Sequence, residues 1–298
     1  MNTLNLFERA TAIFRKSTPL PGKTPDMIEL ERQITDDWFR SHFVYSADTV
    51  NEWLSPVIDV RTSRVLDFGC GDGIMDLGMA LRHQVQQITG IDLHDGFSYL
   101  GDAAKKQIGI DALPSNLSFV KILPGEPLAS KVSVDGVFSW SVFEHIERQY
   151  LPTILADIFS ALPKGGVFFL QIEPLYFSPH GSHLSGLISE PWAHLICSEQ
   201  ELFDQIDNKQ SEQMLDEFKD KAFEQCSFND FKEYLKREYK TLNKLTVAEL
   251  IQLIQTAGFT IEKRWDNQTN LVVPPSLLNR YLREDLSQNE IRLLLRKP

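Results

Sequence analysis

Apolar and polar positions along this 298-residue chain change their period near residue 64. Before that point the spacing is helical. In "DMIELERQITDDWFRSHF" the apolar residues Ile28, Ile34, Trp38 and Phe39 recur at turn intervals behind Asp26, which suits an N-cap. "SADTVNEWLSPVIDV" repeats the pattern, and the "STPLPGKTP" ahead of both reads as a loop. Residues 1–60 are therefore expected to form a helical lead-in. From 64 onwards short apolar runs alternate with helical stretches. "RVLDFG", "QQITGIDLHD", "NLSFVKIL", "VDGVFSWS" and "VFFLQIEPL" read as strands, and "IMDLGMALRHQ", "GFSYLGDAAKKQIG" and "YLPTILADIFSAL" as the helices between them. Such alternation predicts βαβ units and a parallel sheet covered on both faces.

The alternation stops after the fifth strand. Residues 198–242 are polar and helical, with 12 acids against 6 bases between 199 and 238. They read as a helical insertion or lid, and the charge run as a solvated face. The sheet pattern then resumes. "TVAELIQLIQTAG" is an amphipathic helix stopped by Gly258, "FTIEKRW" a strand, "PPSLLNRYLREDL" a helix led by proline and "EIRLLLRKP" a last strand. Seven strands result. The expected organisation is a core of residues 61–197 and 243–298, interrupted by the insertion at 198–242.

One stretch carries chemistry. "VLDFGCGDGIMDLG" puts Gly69, Gly71 and Gly73 directly after a strand and directly before a helix. Glycines there let the backbone approach a ligand closely, under a helix N-terminus. Asp92 ends the second strand 21 residues beyond Gly71, where a carboxylate can accept both hydroxyls of a ribose. The dinucleotide pattern G-x-G-x-x-G places its third glycine one position later than this chain does. Asp72 inside the turn also suits a cationic ligand better than pyrophosphate. The spacing thus leans from NAD towards S-adenosylmethionine.

Composition narrows the partners. The net charge of −11 argues against nucleic acid as the main partner, because phosphate neutralisation needs a basic face. Cys70, Cys197 and Cys226 are too far apart for a disulfide framework or a zinc cluster. No signal peptide and no run of about 18 apolar residues is legible, so a cytoplasmic setting without a membrane span is expected. The insertion and the lead-in each offer a surface for a homodimer.

"VLDFGCGDG" resembles the first motif of the class I S-adenosylmethionine-dependent methyltransferases. "GIDLHD" looks like their second motif, and "DGVFSWSVFEHI" is similar to the fourth-strand motif of their small-molecule branch. "ALPKGGVFFLQ" matches the turn and fifth strand. The resemblance covers roughly residues 60–180 and 245–298. It implies a Rossmann-like, seven-stranded, mostly parallel sheet with helices on both faces and the last strand antiparallel. It implies that Gly69, Gly71 and the backbone near Asp67 and Phe68 line the methionine end. Asp92 would hold the ribose, Leu93 would pack on adenine, and Ser139 and Trp140 would flank the sulfonium.

An oxygen acceptor also calls for a base, usually histidine. "EPLYFSPHGSHLSGLISEPWAHL", leaving the fifth strand, holds His180, His183 and His194, with His183 the first choice. Glu144 and His145 follow the fourth strand directly. Some ubiquinone-type O-methyltransferases carry E-x-x-E-H there with a divalent metal. Here Ser141 stands in place of the first acid, so one ligand is missing and no metal is expected. The expected function is methyl transfer from S-adenosylmethionine to a hydroxyl of a small molecule or glycan. The alternatives are a non-catalytic module that uses the insertion as an interaction surface, and an NAD-dependent enzyme.

Overall fold

The computed structural model describes residues 25–128, 132–210 and 227–298. The loop expected at 17–25 lies almost wholly outside these residues, as do Cys226 and the middle of the 198–242 stretch. Within the described residues the lead-in is helical but not one helix, and its residues 1–24 lie outside them. It comprises α1 (Pro25–Gln33), α2 (Asp37–Arg40), a π-helical stretch over Ser41–Ser46 and α3 (Ala47–Leu54). The break falls where Gln107 Oε1 accepts the N–H groups of Thr35 and Asp36 (3.0 and 3.2 Å). The Asp36 side chain then caps α2 by accepting the Phe39 N–H at 3.1 Å.

Seven strands form one sheet: β1 (Arg64–Phe68), β2 (Gln87–Asp92), β3 (Leu117–Lys121), β4 (Gly136–Trp140), β5 (Val167–Ile172), β6 (Thr260–Gln268) and β7 (Gln288–Arg296). Their order is β3-β2-β1-β4-β5-β7-β6. β1 to β5 pair in parallel, and β7 runs antiparallel to β5 and β6. Direction of build-up reverses beside β1, which opens a crevice at the carboxyl ends of β1 and β4.

Successive strand residues feed opposite cores. Leu66, Val137 and Phe168 face one apolar cluster, while their neighbours Val65, Phe138 and Phe169 face another. That is why β1, β4 and β5 read as continuous apolar runs, with β5 buried at every position. Helices α4 (Ile74–Arg82) and α5 (Leu100–Ile108) follow β1 and β2, and α6 (Leu151–Ala161) precedes β5. After β5 come α7 (Ala193–Ile196), α8 (Glu199–Asp207) and α9 (Phe228–Thr241). Leu184, Leu187 and Ile188 join Leu202, Ile206, Phe231 and Leu235 in a separate apolar cluster. Helix α10 (Val247–Thr256) returns the chain to the sheet.

The proline-led helix expected at 274–286 is mostly turns, with helix only in α11 (Arg283–Ser287). Leu277 N–H donates to Pro274 and Leu278 N–H to Pro275, which closes single turns instead of a ladder. Leu277 and Leu286 pack around the buried Trp192, whose Nε1–H donates to the Leu286 carbonyl at 3.2 Å. Tertiary packing outweighs helix propensity there.

Candidate active site

β1 ends at Phe68, and Gly69, Gly71 and Gly73 follow at φ 89°, 55° and 73°. Residues with a Cβ rarely enter that region. A Cβ at Gly69 would come within 2.4 Å of Val142, and one at Gly73 within 2.5 Å of the Phe119 ring. At Gly71 it would meet nothing within 4 Å. The turn is therefore packed at both ends and bare in the middle, where a ligand can reach the backbone. Asp72 is occupied otherwise: one oxygen accepts the Ile74 N–H (3.0 Å) at the start of α4, and the other accepts Trp38 Nε1–H (2.7 Å). That second bond ties the lead-in to the glycine turn.

Asp92 leans over the same turn. Its Oδ2 accepts the Gly71 N–H at 3.0 Å and its Oδ1 accepts the His94 N–H at 2.8 Å. A carboxylate oxygen has two acceptor sites, so capacity for further donors remains. Leu93 beside it is 46% exposed, an apolar surface open to a flat ring. Ser139 is fully buried and donates its hydroxyl proton to the Phe68 carbonyl (2.8 Å), clamping the ends of β1 and β4 together. Trp140 sits near the Tyr45 and Phe169 rings, with the Arg292 guanidinium 5.5 Å from its centroid.

Asp67 lies fully buried beneath the turn beside an equally buried Asp76. None of their four oxygens accepts a hydrogen bond from another described residue. Burial raises both carboxyls well above the usual range, and the Asp76 charge raises Asp67 further. Two such groups in a low dielectric hold a proton between them. An acid inside the apolar run Met75–Asp76–Leu77 was the available sequence signal for this pair.

The three post-β5 histidines act on one another, His194 on His183 and His180 on His194. His183 adopts φ 58°, and its Nε2 is shielded from solvent with no partner among the described residues. His194 Nε2 lies 2.7 Å from the Tyr176 carbonyl. Burial lowers all three, His183 to about 3 with help from His145 and His194, and His194 to about 4. His183 also meets the pair after β4. Ligand atoms of Glu144, His145 and His183 lie within 4.8 Å of one another, and the two imidazoles approach at 4.7 Å between centroids. No spacing rule links residue 183 to 144, so this meeting was not legible in the sequence. Glu144 is 5% exposed, and burial pushes its carboxyl up to about 8 against the pull of two backbone N–H groups. Glu173, at the end of β5, rises to about 7 through burial and the Glu290 charge.

With this geometry in hand, comparison with known proteins identifies the class. A family profile described as "Methyltransferase domain" matches residues 41–264, more than half of the chain. The chain belongs to that family and carries a class I, S-adenosylmethionine-dependent methyltransferase domain, and S-adenosylmethionine is its cofactor. A curated relative, the tRNA (guanine-N(7)-)-methyltransferase of Synechocystis, is 25% identical over 133 residues, 42% of this chain. The match spans 63% of that relative's length. Among solved structures, the cyclopropane synthase MmaA2 of Mycobacterium tuberculosis is 14% identical, with 92% of this chain and 94% of that one covered at a TM-score of 0.50. The magnesium protoporphyrin IX methyltransferase of Synechocystis PCC 6803, solved with bound SAH, is 12% identical over 98% of this chain and 94% of that one, at a TM-score of 0.48. At such identities the first of these likenesses speaks for the fold alone.

Proposed function

We propose that the protein transfers the methyl group of S-adenosylmethionine to a hydroxyl oxygen of a small molecule or glycan. The observation that carries this reading is His183 Nε2, a neutral ring nitrogen with no partner among the described residues, buried among groups that follow β4 and β5. When bound, the cofactor supplies an electrophilic methyl on a sulfonium. The chain must then hold the cofactor, orient the acceptor, exclude water and take a proton. Gly69, Gly71 and the ends of β1 at Asp67 and Phe68 would hold the methionine part, with Ser139 and Trp140 alongside. Asp92 would take the ribose and Leu93 the adenine. His183 would accept the acceptor's proton, with His180 and His194 as the next candidates. Helices α8 and α9, part of the 198–242 stretch, would close over the acceptor.

The net charge of −11 supports a small acceptor over a polyanion such as RNA. Among the described residues no helix is long and apolar enough to cross a membrane. The test pairs two measurements. Titration with S-adenosylhomocysteine should show Asp92→Ala weakening affinity roughly 10- to 100-fold, the effect of losing charge-assisted hydrogen bonds. Methyl transfer to a panel of hydroxyl compounds should drop by about 10²–10⁴ in kcat for His183→Ala, with cofactor affinity kept. Intact cofactor binding with no transfer to any acceptor would favour the non-catalytic module. Unchanged kcat in His183→Ala would remove the base assignment.

A further inference from the structure

Glu144 poses a problem that a histidine base at residue 183 does not resolve. A carboxyl 5% exposed, neither of whose oxygens makes a hydrogen bond of normal geometry, is costly to bury. Beside it, His145 Nδ1 and His183 Nε2 are also buried without hydrogen-bond partners among the described residues. The nearest carboxylate to His145 Nδ1, Oε2 of Glu238 on α9, stands 3.6 Å off, beyond hydrogen-bond distance. Three donor groups on two separate segments, each with a buried atom short of a well-formed hydrogen bond among the described residues, thus converge within 4.8 Å.

We propose that Glu144, His145 and His183 bind one divalent transition-metal ion, with a coordination position left open for an oxygen ligand. Four features support this. The donors are one carboxylate and two imidazoles, a set that suits zinc and its neighbours and disfavours magnesium or calcium, which prefer all-oxygen shells. Three protein ligands with a vacancy is the pattern of catalytic zinc sites. Ligands about 2 Å from an ion stand about 3.4 Å apart, so the cluster needs to tighten only modestly. The Pro174 carbonyl bears on the His183 ring electrostatically, and Nε2 is the ring atom left without a hydrogen bond to the described residues, free to take a ligand.

The left-handed backbone of His183 (φ 58°) fits the same purpose, since strained conformations persist where a side chain must be aimed. The sequence pattern counted one ligand short because Ser141 replaces an acid; the third ligand comes instead from the segment beyond β5. Serine 141 itself is bonded to Gln171 Oε1 at 3.0 Å and takes no part.

This inference deepens the oxygen-acceptor reading in one respect. An ion at the cluster lowers the pKa of a hydroxyl in its open position, and His183 then serves as ligand in place of base. The metal site itself does not depend on the acceptor, and its test uses none. Tag-free, chelator-treated protein is titrated with zinc alone against a metallochromic competitor, at neutral pH. One equivalent is expected to bind, and the melting temperature to rise by roughly 5 °C or more at hundredfold excess over Kd. His183→Ala and Glu144→Gln should each weaken binding at least roughly tenfold. Glu144→Gln keeps the shape of the protonated acid, so its zinc-free melting temperature should stay near that of the parent, which separates ligand loss from misfolding. Substoichiometric binding, or full affinity retained in both variants, would overturn the proposal and leave His183 as the base candidate. Stoichiometric zinc without methyl transfer to hydroxyls would uphold the site and remove the acceptor reading.

Discussion

Asp67 and Asp76 show how a single side chain can matter without touching solvent. Both are fully buried beneath the glycine turn, and both titrate well above an ordinary carboxyl. A carboxyl whose folded pKa is raised binds its proton more tightly folded than unfolded. Its contribution is complete below the unfolded value near 3.9 and is lost as pH climbs through the folded value. Asp76→Asn replaces the shared proton with a permanent amide donor. Its melting temperature relative to the parent should therefore climb between about pH 5 and about pH 8, measured by thermal melts across that range. A flat difference would mean the two carboxyls do not share a proton. At this scale the sequence was partly legible. Asp92 and the three glycines stand at the crevice because their spacing after each strand left little choice. Ser139 was legible as a position but not in its use, since its hydroxyl is committed to the Phe68 carbonyl. The meeting of residues 144, 145 and 183 depends on how two loops fold back, and no local pattern records that.

At the scale of elements, α4 packs tightly against the π-helical stretch. A Cβ on Gly78 would come within 2.3 Å of the Phe43 carbonyl oxygen and 2.8 Å of Ala47. The helix backbone thus lies almost against the lead-in, and Arg82 reinforces the join by pairing with Glu31 and Asp48. Gly78→Ala should destabilise by about 1–3 kcal/mol, the cost of overpacking, seen as a lower urea midpoint. It should also loosen the Trp38–Asp72 bond that links the lead-in to the glycine turn. The strands were readable because their runs are apolar and end at turn residues. The lead-in's break at Thr35–Asp36 was not, because a glutamine 71 and 72 positions away takes their N–H groups. The turns at 275–280 escaped for the same reason, being shaped by contact with Trp192.

Across the whole molecule, β7 joins parts far apart in the chain. It lies between β5 and β6, and Lys297 just past its end donates to the carbonyls of Phe159 (2.7 Å) and Leu162 (2.6 Å) at the close of α6. These carbonyls would otherwise lack an intrahelical partner. Lys297→Met should cost about 1–2 kcal/mol and shift the urea midpoint without changing the slope m, if sheet and helices unfold together. A changed slope would show that α6 frays separately. The position of β7 has a further consequence for folding during synthesis. β6 leaves the ribosome before the strand that will separate it from β5, and so waits without the strand it pairs with. An apolar β6 would pair wrongly with β5 or with another nascent chain. Its residues are instead mostly exposed even in the finished sheet, with Glu262, Lys263, Arg264 and Asp266 along it. The polarity of this edge strand lets it tolerate water until β7 arrives, and the same charges keep finished molecules from joining edge to edge.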